Sequence, residues 1–138
     1  MTNNMTNVTF SSVDLKMVEF KKSKEIAIKS YQIVIEDEIN LVSFDKTSFV
    51  LEYCRKTKNK DPFYVRTVFE FTVYFDEVGI AFYNGDLERI KRFAELRKSE
   101  IVTNLNLPQR ASLLIGNIVR EIGAPFISIP IIVENSKK

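Results

Sequence analysis

Residues 63–75 read FYVRTVFEFTVYF. Val65, Thr67, Phe69, Phe71, Val73 and Phe75 fall on one side of an extended chain. Tyr64, Arg66, Val68, Glu70, Thr72 and Tyr74 fall on the other. A period of two sustained this far is the signature of a β-strand with one apolar face, and it rules out an amphipathic helix. The first set is expected to be core. The second is mixed, with aromatics at both ends.

The same period extends upstream. Phe49, Leu51 and Tyr53 alternate with Val50, Glu52 and Cys54. Asp45-Lys46 reads as a tight turn after a short apolar run, Ile39 to Phe44. The acidic triplet Glu36, Asp37 and Glu38 reads as another turn. Before it, Ile26 and Ile28 alternate, and then Tyr31, Ile33 and Ile35 alternate in the opposite phase, as a bulged strand would. Residues 13–24 fit either a short helix or the lead into a strand. Residues 1–12 are polar and expected to be flexible, residues 13–133 to form a single domain, and residues 134–138 to be a polar tail.

Downstream of Asn84-Gly85 the period becomes helical. Asp86 is a suitable N-cap, and Leu87, Ile90, Phe93 and Ala94 share a face. A second helix is expected from Pro108, with Ala111, Leu114, Ile115, Ile118, Val119 and Ile122 on its apolar stripe. Gly123 and Pro125 end it. Strands in a run followed by helices in a run predict an α+β fold: a four-stranded antiparallel sheet with two helices on one face. The other face keeps Tyr64, Val68 and Tyr74, so an oligomer joined through that face or through edge strands is expected.

Composition narrows the function. The 138 residues carry 20 Lys plus Arg against 18 Asp plus Glu, no His and one Cys. Without imidazole there is no Ser-His-Asp or Cys-His relay and no His-ligated metal. One thiol, Cys54, allows neither an internal disulfide nor a thiolate zinc site, and it reads as a small apolar filler. No nucleophile–base pair can be named, so no enzyme, catalytic residue, metal or cofactor is expected. The basic residues Arg55, Lys56, Lys58, Lys60, Arg89, Lys91 and Arg92 are interleaved with Glu88 and Glu95 on the helix and read as an ordinary solvated face, so nucleic acid is not expected as a partner. No apolar run reaches membrane-spanning length and the N-terminus is not signal-like, which gives a cytoplasmic expectation with no membrane partner. Eleven Phe and five Tyr point instead to a large apolar surface.

Residues 107–133, LPQRASLLIGNIVREIGAPFISIPIIV, carry a resemblance. An amphipathic helix opened by Leu-Pro, closed by Gly123 and followed by Pro125 and Pro130 at a G-x-P-x-x-x-x-P spacing resembles the C-terminal signature of the SecB family and its SecB-like relatives. With the upstream strand order, the resemblance covers roughly residues 20–133. The Tyr and Glu usual after the opening proline are replaced here by Gln109, Arg110, Ala111 and Ser112. The resemblance implies a tetramer or other homo-oligomer that holds unfolded or partly folded client proteins without ATP, in protein export. The alternative is a dedicated-partner or structural module on the same fold, phage-borne or associated with a toxin–antitoxin pair. SecA is a disfavoured partner, because the chain is slightly basic and ends in Ser136-Lys137-Lys138. Phe126, Ile127, Ile129, Ile131 and Ile132 are the candidate client-groove residues. Tyr64, Val68 and Tyr74 are the candidate oligomer-interface residues, and Glu36, Asp37 and Glu38 a candidate docking surface.

Overall fold

The computed structural model describes residues 7–22, 34–58 and 63–121. Among them are five strands, β1 (Val8–Phe10), β2 (Asp14–Lys22), β3 (Ile35–Phe44), β4 (Ser48–Thr57) and β5 (Phe63–Phe75). Three helices follow: α1 (Glu77–Tyr83), α2 (Leu87–Asn104) and α3 (Leu107–Glu121). The fold is α+β. The strands form one antiparallel sheet in the order β1-β5-β4-β3, with β2 also paired to β5. β1 pairs with residues 73–75 and β2 with residues 63–70 of β5, so the two lie end to end along one edge. The sheet therefore has four rows, and five strands appear because the first row is interrupted.

Several local readings change. β1 lies within the polar N-terminal stretch, where Val8 reaches the core. The ambiguous segment 13–24 contributes a strand, β2, whose bulge between Leu15 and Met17 blurs its period. The bulged strand expected over residues 25–33 lies outside the described residues. The acidic triplet is not a turn. It is paired inside β3, with Glu36 opposite Lys56, Asp37 opposite Arg55 and Glu38 opposite Cys54. Opposite charges across a ladder favour pairing, and the basic strand that supplies them lies too far along the sequence for a local reading to use.

The hairpin joining β3 to β4 is made by Asp45, whose Oδ1 accepts from the Thr47 and Ser48 amides at 2.9 Å each. Asp76 caps α1 by accepting from Gly79 N at 2.9 Å, and Asp86 caps α2 by accepting from Arg89 N at 3.3 Å. Asn84 and Asn106 take the left-handed conformation at the ends of α1 and α2 (φ 50° and 58°). The unpredicted α1 is only seven residues long and apolar on nearly every side, too short for a helical period to emerge.

α2 and α3 cover the face of the sheet that carries Phe49, Leu51, Tyr53, Phe69, Phe71 and Val73. Ile90, Ala94, Ile101 and Ala111 close this core from the helix side. A smaller cluster of Phe63, Val65, Ile115 and Val119 lies at the other end. Between the two runs a polar row, Asp37–Arg55–Thr67, matched residue by residue across β3, β4 and β5. Arg55 is fully enclosed. Its Nε and Nη2 donate to the two Asp37 carboxylate oxygens at 2.7 and 2.6 Å. Its Nη1 donates to Ser112 Oγ at 2.6 Å and to the Pro108 carbonyl at 3.3 Å. Thr67 Oγ1 donates to the Arg55 carbonyl at 3.2 Å.

Removing one partner of such a pair strands the other charge in the interior. Asp37→Asn and Arg55→Met are each expected to lower stability by about 3–5 kcal/mol, whereas Asp37→Leu combined with Arg55→Met should recover most of the loss. Urea denaturation of the four proteins measures this, and equal losses in single and double variants would contradict it. A second expectation concerns pH. The Thr47 amide, helped by the Ser48 amide and the two hydroxyls, holds the Asp45 carboxyl below its ordinary value against the opposing effect of burial. The folded value is thus the lower one, so the turn's contribution is complete above about pH 4 and is lost as the pH falls through the folded value. The side chain is exposed, so Asp45→Ala should cost no more than about 1 kcal/mol at pH 7. The gap between Asp45→Ala and the parent protein should close in acid, as urea midpoints at pH 7 and pH 3 would show.

Candidate functional site

Strand alternation separates the acidic triplet. Glu36 and Glu38 face the open side of the sheet, while Asp37 faces the helices and is consumed by Arg55. Asp37 therefore has no surface to offer a partner. The open face also carries Tyr64, Val68 and Tyr74 in one line along β5. Tyr74 is 46% exposed and Tyr64 is half-buried, but Val68 is only 3% exposed. Met17 stands opposite Val68 in β2 and Cys54 opposite it in β4. Arg66 donates from Nη1 to Met17 Sδ at 3.0 Å, and its charge also acts on Cys54. An arginine stem running between those two neighbours shields the apolar residue beside it. Burial pushes the Cys54 thiol up, more than Arg66 lowers it, as for an inert filler rather than a reactive thiolate. The groove candidates Phe126, Ile127, Ile129, Ile131 and Ile132 lie outside the described residues.

The sequence reading missed the surface around α1. β5 ends at Phe75, Asp76 turns the chain, and α1 then passes so close to β1 that a Cβ on Gly79 would stand 3.0 Å from the Asn7 carbonyl. A larger residue there would require the Asn7 carbonyl or the Phe75 ring to give way by a few tenths of an ångström. Beside it opens a cavity of about 120 Å³, lined by Asn7, Val8, Phe75, Gly79, Phe82, Tyr83 and Phe93. The walls are aromatic and mutually braced. Phe75 and Tyr83 have centroids 5.0 Å apart, Phe75 and Phe93 5.8 Å, and Phe82 meets Tyr83 edge-on at 4.9 Å.

The outer side of α1 is apolar as well. Val78 and Phe82, one turn apart, are 62% and 61% exposed, and Ile80 and Leu87 are also exposed. The Arg89 guanidinium lies 4.5 Å from the Phe82 ring centroid and 5.2 Å from that of Tyr83, and its Nη1 donates to the Phe82 carbonyl at 3.3 Å. Burial pushes the Tyr83 phenol up despite the opposing pull of Arg89 and Arg97, so this ring is neutral at physiological pH. The one available signal was the run VGIAFY between two capping aspartates. It marks a short helix with more apolar residues than a single buried side can take.

Among the described residues no group of acidic or sulfur side chains is placed to hold a metal ion, and no helix is long and apolar enough to cross a membrane. Among the described residues one buried polar side-chain atom, the Tyr53 hydroxyl, lacks a hydrogen-bond partner. Burial, reinforced by the Asp37 charge, pushes this phenol far above its ordinary value. Tyr53→Phe keeps the ring stacked on Phe69 at 6.3 Å and removes an unsatisfied group. It is expected to leave stability unchanged or raise it by up to about 1 kcal/mol, read from the urea midpoint.

No family model matches the chain, and no curated relative does either. Among solved structures the chain is similar to the Mycobacterium tuberculosis Rv1957 SecB-like chaperone in complex with a ChAD peptide from the Rv1956 HigA1 antitoxin, at 9% sequence identity and a TM-score of 0.46, over 91% of this chain and 88% of that chain.

Proposed function

We propose that this protein is a non-enzymatic holder of other polypeptides: a cytoplasmic homo-oligomer that binds apolar segments of unfolded or partly folded clients without nucleotide. The observation that carries this reading is the open aromatic cavity continuing into the uncovered apolar side of α1. Such a surface is unstable in isolation and gains by covering itself with another chain. The C-terminal sequence that resembles the SecB family points the same way, as do eleven Phe and five Tyr in 138 residues. Tyr64 and Tyr74 on the open face are the proposed contacts between copies, and residues 126–132 a proposed further stretch of client surface.

A second reading has its own support. The cavity is the size of one side chain, which suits a single dedicated partner sequence better than a broad groove does.

The purified protein, without ATP and at a stoichiometric ratio, should suppress aggregation of a reduced, unfolding client, followed by light scattering. Equal protection of several unrelated clients supports the general holder, and protection of one alone supports the dedicated module. No protection of any client by the assembled particle would overturn both.

A further inference from the structure

The geometry points to the cavity beside α1 as a peptide subsite that takes one aromatic or aliphatic side chain whose neighbouring residue carries a carboxylate, with Arg89 reading the charge. This inference rests on the polypeptide-holding reading above and specifies the chemistry of the segment held.

The size of the cavity fixes the apolar half. Engineered apolar cavities of about 150 Å³ take up benzene, so about 120 Å³ open on one side suits a single ring or a branched aliphatic group. It is well below the roughly 300–1,000 Å³ of pockets that enclose whole small molecules or long acyl chains. The exposed Val78 and Phe82 continue the apolar surface past the opening, as an extended chain requires and an isolated small ligand does not.

Arg89 fixes the charged half. Its guanidinium lies against Phe82 and Tyr83, both cavity walls. Cation–π contact with the two rings takes little of its hydrogen-bonding capacity. Among the described residues only an Nη1 hydrogen of its five N–H donors is engaged, at 3.3 Å, with a neutral carbonyl. Among the described residues no carboxylate pairs with Arg89, whereas Arg55, Arg97 and Lys98 each have one. Asp76 and Asp86, which open α1 and α2, each turn one carboxylate oxygen to a backbone amide. A planar fork fixed at an apolar rim and lacking an anion is complementary to a carboxylate delivered by the bound chain.

The test uses the full chain and three labelled peptides of Ser and Gly, each ten residues long by design. One carries Phe-Glu, one Phe-Lys and one Ser-Glu at its centre, and binding is followed by fluorescence anisotropy. The parent protein should prefer Phe-Glu over Phe-Lys by about three- to fivefold, the scale of a partly exposed ion pair, and should bind Ser-Glu least. Arg89→Glu should invert the charge preference, Arg89→Lys should keep it in weakened form, and Phe82→Ala should reduce binding of both Phe peptides. Circular dichroism confirms that the variants are folded. A charge preference unchanged in folded Arg89→Glu overturns the subsite. If client holding persists alongside that result, the function stands and only the subsite falls. If the parent holds no client yet shows the peptide preference and its inversion, the subsite stands and the holding function falls.

Discussion

Arg55 is the constraint to which the rest of the architecture answers. A guanidinium enclosed in the interior is costly unless its donors are matched, and here Asp37 takes two of them in a fork-to-fork pair while Ser112 and the Pro108 carbonyl receive the third nitrogen. Burial works against the charge, but the Asp37 hydrogen bonds and carboxylate charge outweigh it and hold Arg55 above its ordinary value. The pair has one acceptable geometry. β3 must meet β4 in the register that sets residue 37 against residue 55, and the first turn of α3 must lie directly over that point. Generic apolar packing would tolerate a helix that slid or rotated on the sheet, whereas a buried fork does not.

The same row explains why the interior is divided. Thr67, opposite Arg55 on β5, interrupts the otherwise apolar face FxFxVxF that begins at Phe69 and the Phe63–Val65 pair before it. α3 spans the interruption, contributing Leu107 and Ala111 to the large cluster and Ile115 and Val119 to the small one. The helix is thus pinned by charge near its start and by a modest apolar contact farther on. Its sequence pattern alone shows a uniform stripe and gives no hint that the two halves cover different cores.

The legible parts of the fold were those settled within a few residues. The alternation of 63–75, the turn at Asp45, the cap at Asp86 and the stripe of α3 all follow from local geometry and match the structure. Partners distant in sequence defeat that kind of reading. Three consecutive carboxylates look like a turn until a basic strand is laid beside them, and Val68 looks open until Arg66 and Met17 meet next to it. The cavity was hidden for a different reason. It is bounded by Asn7 and Val8 near one end of the chain, by Phe93 in the middle of α2 and by Gly79, which lies close to the Asn7 carbonyl. None of those separations has a period.

Arg55 and Arg89 show how little residue type alone conveys. In the sequence both belong to ordinary basic stretches, and both could have been read as phosphate contacts. The fold surrounds one with acceptors, so that its charge is spent on positioning β3, β4 and α3. It sets the other within cation–π distance of two aromatic rings at the lip of a cavity and, among the described residues, pairs it with no carboxylate. A guanidinium beside aromatic rings gives up little solvation, because its faces are weakly hydrated. The difference between a structural and a recognising arginine is therefore one of how many donors the fold has already satisfied. By that measure Arg89 at the surface around α1 keeps donors that Arg55 has already spent.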